Sequence, residues 1–201
     1  MTKIKLCGLR RSCDIAYANE LVPEYIGFVF AKKSKRYVSP AQAEALGKQL
    51  NAAIVPVGVF VDEEIEEIAA LVRRHIIDAI QLHGNEDAAY ISALRGVVTC
   101  PIIQAFRIES RQNILAAGRS PADIVLLDSG NGSGKAFDWT LLKEIQRPYF
   151  LAGGLTPENV QPAISRLRPF GVDASSSLET DGYKDKEKMT AFVNAVRQRK
   201  D

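Results

Sequence analysis

Lys3-Ile4-Lys5-Leu6-Cys7-Gly8 is a short apolar run that ends in a thiol, with a glycine to let the backbone turn. Far along the chain, Ile124-Val125-Leu126-Leu127 has the same build and ends in Asp128. Each reads as a β-strand with a reactive group at its C-terminal end. A thiol and a carboxylate so placed could serve as base and acid across one pocket, provided the chain brings the two strand ends together.

The intervening pattern does so. Strands are predicted at 4–6, 25–30, 54–61, 79–82, 102–106, 124–127, 149–152 and 171–174. Helices are predicted at about 12–20, 39–50, 63–74, 86–94, 111–117, 138–147, 156–167 and 185–199. Ser39-Pro40 is an N-cap followed by proline at the first helical position. The helix at 63–74 has acids in its first turn and arginines in its last, as the helix dipole favours. Near-continuous apolar strands separated by helices imply a parallel sheet covered on its outer side. Eight such units close into an α/β fold of the (β/α)₈ TIM-barrel type, a single domain over residues 1–201. An open doubly wound sheet would carry G-x-G-x-x-G in its first turn, where this chain has Cys7-Gly8-Leu9-Arg10-Arg11-Ser12. In a barrel all strand C-termini meet at one mouth, so Cys7 and Asp128 share a site.

Composition narrows the class further. With 46% hydrophobic and 25% charged residues in 201, the chain can bury a core without a disulfide or metal staple. A net charge of +2 argues against nucleic acid or an anionic membrane as partner. No apolar run approaches the ~20 residues that span a bilayer, and the first strand leaves no room for a signal peptide. The three cysteines, at 7, 13 and 100, form neither a disulfide framework nor a zinc pattern. Reduced, cytoplasmic chemistry is expected, with Cys13 and Cys100 structural.

Other residues converge on the predicted mouth. His83 ends strand four, and Arg36 lies in the loop after strand two, where a guanidinium suits a carboxylate. Gly153-Gly154 and Ala174-Ser175-Ser176 follow strands seven and eight, whose loops bind phosphate in many barrels. The amides there can approach an anion, and a short helix at the serines would add its dipole. Gly130-Asn131-Gly132-Ser133-Gly134-Lys135 has three residues between its outer glycines rather than the four of a nucleotide P-loop. It reads instead as a glycine-hinged loop over the pocket.

Taken together these segments resemble the phosphoribosylanthranilate isomerase family. The resemblance runs through Lys5-Leu6-Cys7-Gly8, Gly27-Phe28-Val29-Phe30, Arg36-Tyr37-Val38-Ser39 and Gln81-Leu82-His83-Gly84. It continues through Leu127-Asp128, Gly132-Ser133-Gly134-Lys135, Phe137-Asp138-Trp139 and Leu151-Ala152-Gly153-Gly154-Leu155. Asn159-Val160, Gly171-Val172-Asp173-Ala174-Ser175-Ser176, Glu179, Gly182, Lys184-Asp185 and Lys188 complete it. Two departures stand out: Lys35 where the family usually has proline, and Ser177 where it usually has glycine. The second is expected to strain the phosphate loop if positive φ is needed there.

The resemblance implies an Amadori rearrangement of an aminoaldose to an aminoketose in tryptophan biosynthesis. Asp128 would be the general acid and Cys7 the general base. Arg36, His83 and Gly8 would meet the substrate, with Arg36 on the anthranilate carboxylate. Gly153, Gly154, Ala174, Ser175 and Ser176 would hold the phosphate. No metal and no organic cofactor is implied, because the anthranilate nitrogen is the electron sink. The partner is then a phosphorylated small molecule, acting on a monomer, with a dimer left open. The rivals are a histidine-pathway isomerase, which uses two aspartates where this chain has Cys7, and a non-catalytic sensor of a phosphorylated ligand.

Overall fold

A computed structural model describes residues 1–129 and 141–197. Eight parallel strands close into a barrel in chain order, the last hydrogen-bonded back to the first. They are β1 (Lys3–Cys7), β2 (Tyr25–Val29), β3 (Val55–Phe60), β4 (Ala79–Leu82), β5 (Ile102–Arg107), β6 (Ile124–Asp128), β7 (Tyr149–Ala152) and β8 (Gly171–Ala174). The helices are α1 (Ser12–Leu21), α2 (Pro40–Gly47), α3 (Ile65–Arg73), α4 (Ala88–Arg95), α5 (Arg111–Arg119), α6 (Pro157–Leu167) and α7 (Lys186–Arg197).

Alternation along the strands builds two apolar layers. Ile4, Leu6, Ile26, Phe28, Ile80 and Leu82 pack outward with helix residues such as Ile15, Ala43 and Ile68. Val57, Ala79, Ile103, Leu126 and Phe150, contributed by strands alone, fill the barrel interior. Each large apolar side chain so buried stabilises the fold by about 1.5–3 kcal/mol relative to exposure. The interior layer is also a floor. Above it the inward positions are Cys7, Val29 and Val59, which open to the mouth.

The helix starts follow the sequence signals. Ser39 Oγ accepts from Gln42 N and Gln42 Oε1 accepts from Ser39 N, a capping box ahead of Pro40. Asp87 Oδ1 accepts from Tyr90 N at the head of α4. In α1 the buried Asp14 carboxylate reaches back to the amides of Arg10 and Arg11, so an aspartate inside the first turn does the work of a cap.

Three expectations need adjustment. The helix predicted at 138–147 begins outside the described residues, and its described part is one 3-10 turn, Leu141–Glu144. The short helix expected at the serines is likewise a 3-10 turn, Ser176–Leu178. Too few peptide dipoles align there for a macrodipole, so any anion would meet individual amides. Finally, a hairpin of β9 (Glu179–Thr180) and β10 (Tyr183–Lys184) was not anticipated. Its turn is Asp181-Gly182, both at positive φ (52° and 77°), and Asp-Gly is a strong hairpin signal.

Candidate active site

The barrel register sets the site. Cys7 ends β1 opposite Gly27 of β2, and Asp128 ends β6 between Arg107 of β5 and Ala152 of β7. Both line one cavity of about 760 Å³ at the C-terminal mouth, within the range of small-molecule sites. Arg36, His83, Gly153, Gly154, Ala174, Ser175 and Ser176 line it too. Gly8 is not among the lining residues. At φ 84°, its missing Cβ would stand 2.5 Å from Arg36 Cδ, so the glycine makes room for the arginine stem.

Cys7 is buried, and burial pushes its thiol above the ordinary value. Two cations oppose that. Lys5 lies one inward position below it, wholly buried, with its ammonium 2.8 Å from Asp173 Oδ1 and its charge acting on the thiol. Lys184 contributes from the hairpin. Burial would lower the Lys5 ammonium, but Asp173 and Cys7 together hold it above its usual value.

Asp128 stands close to the β7 turn. A Cβ on Gly153 would come within 2.5 Å of Asp128 Oδ1, and Gly153 has φ 94°. That turn is pinned by Ser129, whose amide and hydroxyl both donate to Ala152 O at 3.1 Å. The glycine-rich loop expected to follow Asp128 lies outside the described residues.

Arg36 departs from the sequence reading. Its Nε and Nη2 already donate, at 2.7 Å each, to the two oxygens of Glu179 in the β9–β10 hairpin. That pairing holds the guanidinium above its ordinary pKa. The fork predicted for a ligand carboxylate is therefore occupied on one edge, and the Nη1/Nη2 edge is what remains to face the cavity. Glu179 is in turn shared with Lys184 Nζ at 2.6 Å. Burial would raise its carboxyl, but these partners keep it below the usual range. Lys184 also donates to Ser175 O at 2.9 Å, so the hairpin braces the β8 loop.

On the opposite wall, the Gln81 side-chain amide and His83 Nδ1 are hydrogen-bonded at 3.0 Å. Among the described residues Gln81 Oε1 has no hydrogen-bond partner, and this buried side chain lines the cavity. Ser175 Oγ donates to Cys7 O at 3.0 Å, so its hydroxyl ties the β8 loop to β1. Ser177 also lines the cavity, but it lies inside the 3-10 turn and outside the positive-φ set. The strain expected from serine at this position is absent.

The family model for N-(5'phosphoribosyl)anthranilate (PRA) isomerase matches residues 4–195. The chain belongs to this family. An N-(5'-phosphoribosyl)anthranilate isomerase from Lachnoclostridium phytofermentans is 44% identical over 212 residues, covering 96% of this chain and 97% of its own. The crystal structure of the Thermotoga maritima enzyme superposes with a TM-score of 0.88 at 35% identity, covering 98% and 99% of the two chains. A phosphoribosyl anthranilate isomerase in complex with reduced 1-(o-carboxyphenylamino)-1-deoxyribulose 5-phosphate gives 0.88 at 33% identity, with the same coverage.

Within this isomerase the sequence reading missed Lys5, Asp173, Glu179, Lys184 and Gln81 as site residues. Lys5 had a signal: a lysine two positions before Cys7 on one strand must share its face. Glu179 and Lys184 stand among the residues that carry the family resemblance, and the Asp181-Gly182 turn between them signals the hairpin that pairs them. Among the described residues, no group of three or more His, Cys, Asp and Glu is placed to hold a metal, and no helix is long and apolar enough to cross a membrane.

Proposed function

We propose that the chain isomerises N-(5-phosphoribosyl)anthranilate to 1-(2-carboxyphenylamino)-1-deoxyribulose 5-phosphate, in tryptophan biosynthesis, with Asp128 as acid and Cys7 as base. The observation that carries this reading is one cavity lined at once by Cys7 from β1 and Asp128 from β6. The Asp128 carboxyl gives its proton to the furanose ring oxygen. The C1′–O bond breaks and the anthranilate nitrogen forms the C1′=N bond of a Schiff base. The Cys7 thiolate then takes the C2′ proton and becomes a thiol. The C–H electron pair closes C1′=C2′ and neutralises the nitrogen, giving an enolamine that tautomerises to the ketone. The substrate's own nitrogen is the electron sink, so this route calls for no metal or organic cofactor.

The remaining lining residues divide the substrate between them. The Nη1/Nη2 edge of Arg36 receives the anthranilate carboxylate, with the His83 ring also meeting the substrate. Amides of Gly153, Gly154, Ala174, Ser175 and Ser176 hold the phosphate. The chain works as one domain in the cytoplasm, as a monomer or a dimer. Supplying it to a tryptophan auxotroph that lacks only this isomerase tests the reading. Growth without tryptophan is expected, and Cys7→Ser and Asp128→Asn should abolish it. No growth with soluble chain present refutes the activity.

A further inference from the structure

Most inward-facing positions of the barrel interior are apolar, yet one of them is a lysine. Lys5 is wholly inaccessible, and a buried ammonium survives only where a partner compensates its desolvation. Asp173, next to it across the β1–β8 pairing, is that partner: Lys5 and Asp173 are in register and their side chains meet at 2.8 Å. The pair is set beneath the thiol. A Cβ on Gly27 would lie 2.7 Å from Cys7 Sγ and 3.2 Å from Lys5 Nζ. One missing side chain thus gives the sulfur and the ammonium a common wall.

We propose that Lys5, its ammonium pinned by Asp173, is a positioning residue that stabilises the thiolate form of Cys7 and holds its sulfur toward the cavity. The inference rests on Cys7 as the base of the proposed reaction and adds what keeps that base usable in a buried place. A thiolate formed where water is excluded needs a fixed countercharge, and β1 supplies it from the same face. Asp173 has a double effect. It keeps Lys5 charged and anchored, while its own charge opposes the thiolate. The other charges that act on Cys7 are Lys184 of the hairpin and Arg36 of the β2–α2 loop, both of which share Glu179. Lys5 is the cation without that shared carboxylate, and it is the one that shares the inward face of β1 with the thiol.

The test reads Cys7 ionisation apart from catalysis. The full chain is alkylated with iodoacetamide across pH, and the Cys7 peptide is quantified by mass spectrometry. In Lys5→Met and in Lys5→Gln, whose amide can still reach Asp173, the apparent thiol pKa should rise by about one to three units. Alkylation well below that pKa should slow at least about tenfold, and the rising limb of kcat/KM should move the same way. Lys5→Arg, which keeps the charge, should return both toward wild type. Unchanged alkylation profiles in both neutral variants overturn the proposal. The unaltered protein provides a check that no folding defect can obscure. With ¹³C-labelled lysine, the Lys5 Cε resonance should step at the Cys7 pKa, and Cys7→Ser should remove the step. A Lys5 resonance that ignores the thiol also overturns it. Near-normal kcat in Cys7→Ser would instead refute Cys7 as base, a result independent of how Lys5 acts on the sulfur.

Discussion

Replacing Glu179 by alanine probes the bridge between the hairpin and the cavity. The carboxylate is 9% exposed and receives three charge-assisted hydrogen bonds, two from Arg36 and one from Lys184. Arg36 is 29% exposed and can rehydrate when released; Lys184, at 1%, cannot. Leaving one buried charge uncompensated costs about 3–5 kcal/mol. In a chain of this size each kcal/mol moves Tm by about 2–4 °C, so a fall of roughly 6–20 °C is expected in a thermal melt at pH 7. Glu179→Ala with Lys184→Met should recover most of it, because removing both charges removes the unpaired one. The pH dependence has a definite sign. The Glu179 carboxyl lies below its ordinary value in the folded state. Its contribution is therefore complete above the unfolded value near ~4.3 and fades as pH falls through the lower folded one. The gap between wild type and Glu179→Ala should hold at neutral pH and close only in acid. Steady-state kinetics should show KM raised about tenfold with kcat within a few-fold, since Arg36 loses its anchor but not its charge. A loss below 1 kcal/mol, a gap that persists into strong acid, or a collapse of kcat at constant KM would refute this account.

Four further outcomes follow from the same geometry. Cys7→Ser and Asp128→Asn should each lower kcat by ~10²–10⁴-fold while product affinity, measured by calorimetry, stays within a few-fold. Because burial lifts the Cys7 thiol, kcat/KM in the wild type should still be rising in the alkaline range above ~8.5, and a profile already flat at neutral pH would assign the limb to another group. Gly153→Ala places a Cβ against Asp128 Oδ1 at a positive φ, so both Tm and kcat should fall, and an unaffected kcat would separate the turn from the acid. Ser177→Gly should leave phosphate affinity unchanged and slightly lower Tm, since there is no left-handed strain to release; a clear gain in either would contradict the backbone conformation.

The barrel was legible because its signal is repetitive. Apolar strands alternating with helical segments recur along the whole chain, and an error in one helix, such as the 3-10 turn at Leu141–Glu144, does not disturb the closure. Residues at strand ends were legible for a related reason: parallel topology sends Cys7, His83, Asp128, Gly153 and Ala174 to one mouth whatever the side-chain details. Pairings between distant side chains were not. Nothing local to Arg36 announces that Glu179, 143 residues later, takes one edge of its fork. Likewise Lys5 and Asp173 become partners only through the β1–β8 register that closes the barrel.

Those hidden pairings bear on how acid and base can coexist in one cavity. An acid must hold its proton and a base must lose one at the same pH, so the two groups need different surroundings. Cys7 sits at the bottom of the mouth, desolvated, with a committed cation below it. Asp128 sits on the far side of the barrel, partly exposed beside the glycine turn of β7. Lys5, Arg36 and Lys184 are each already matched by Asp173 or Glu179, so the positive charge around the cavity is largely balanced within the protein. On the proposed reading the phosphate is held by backbone amides, so its arrival adds negative charge at the β7–β8 rim without displacing any of these ion pairs. That charge disfavours the Cys7 thiolate. The cost to the thiolate falls where Lys5 is fixed to oppose it. A buried countercharge under the base thus lets the thiolate remain available when an anionic substrate fills the cavity.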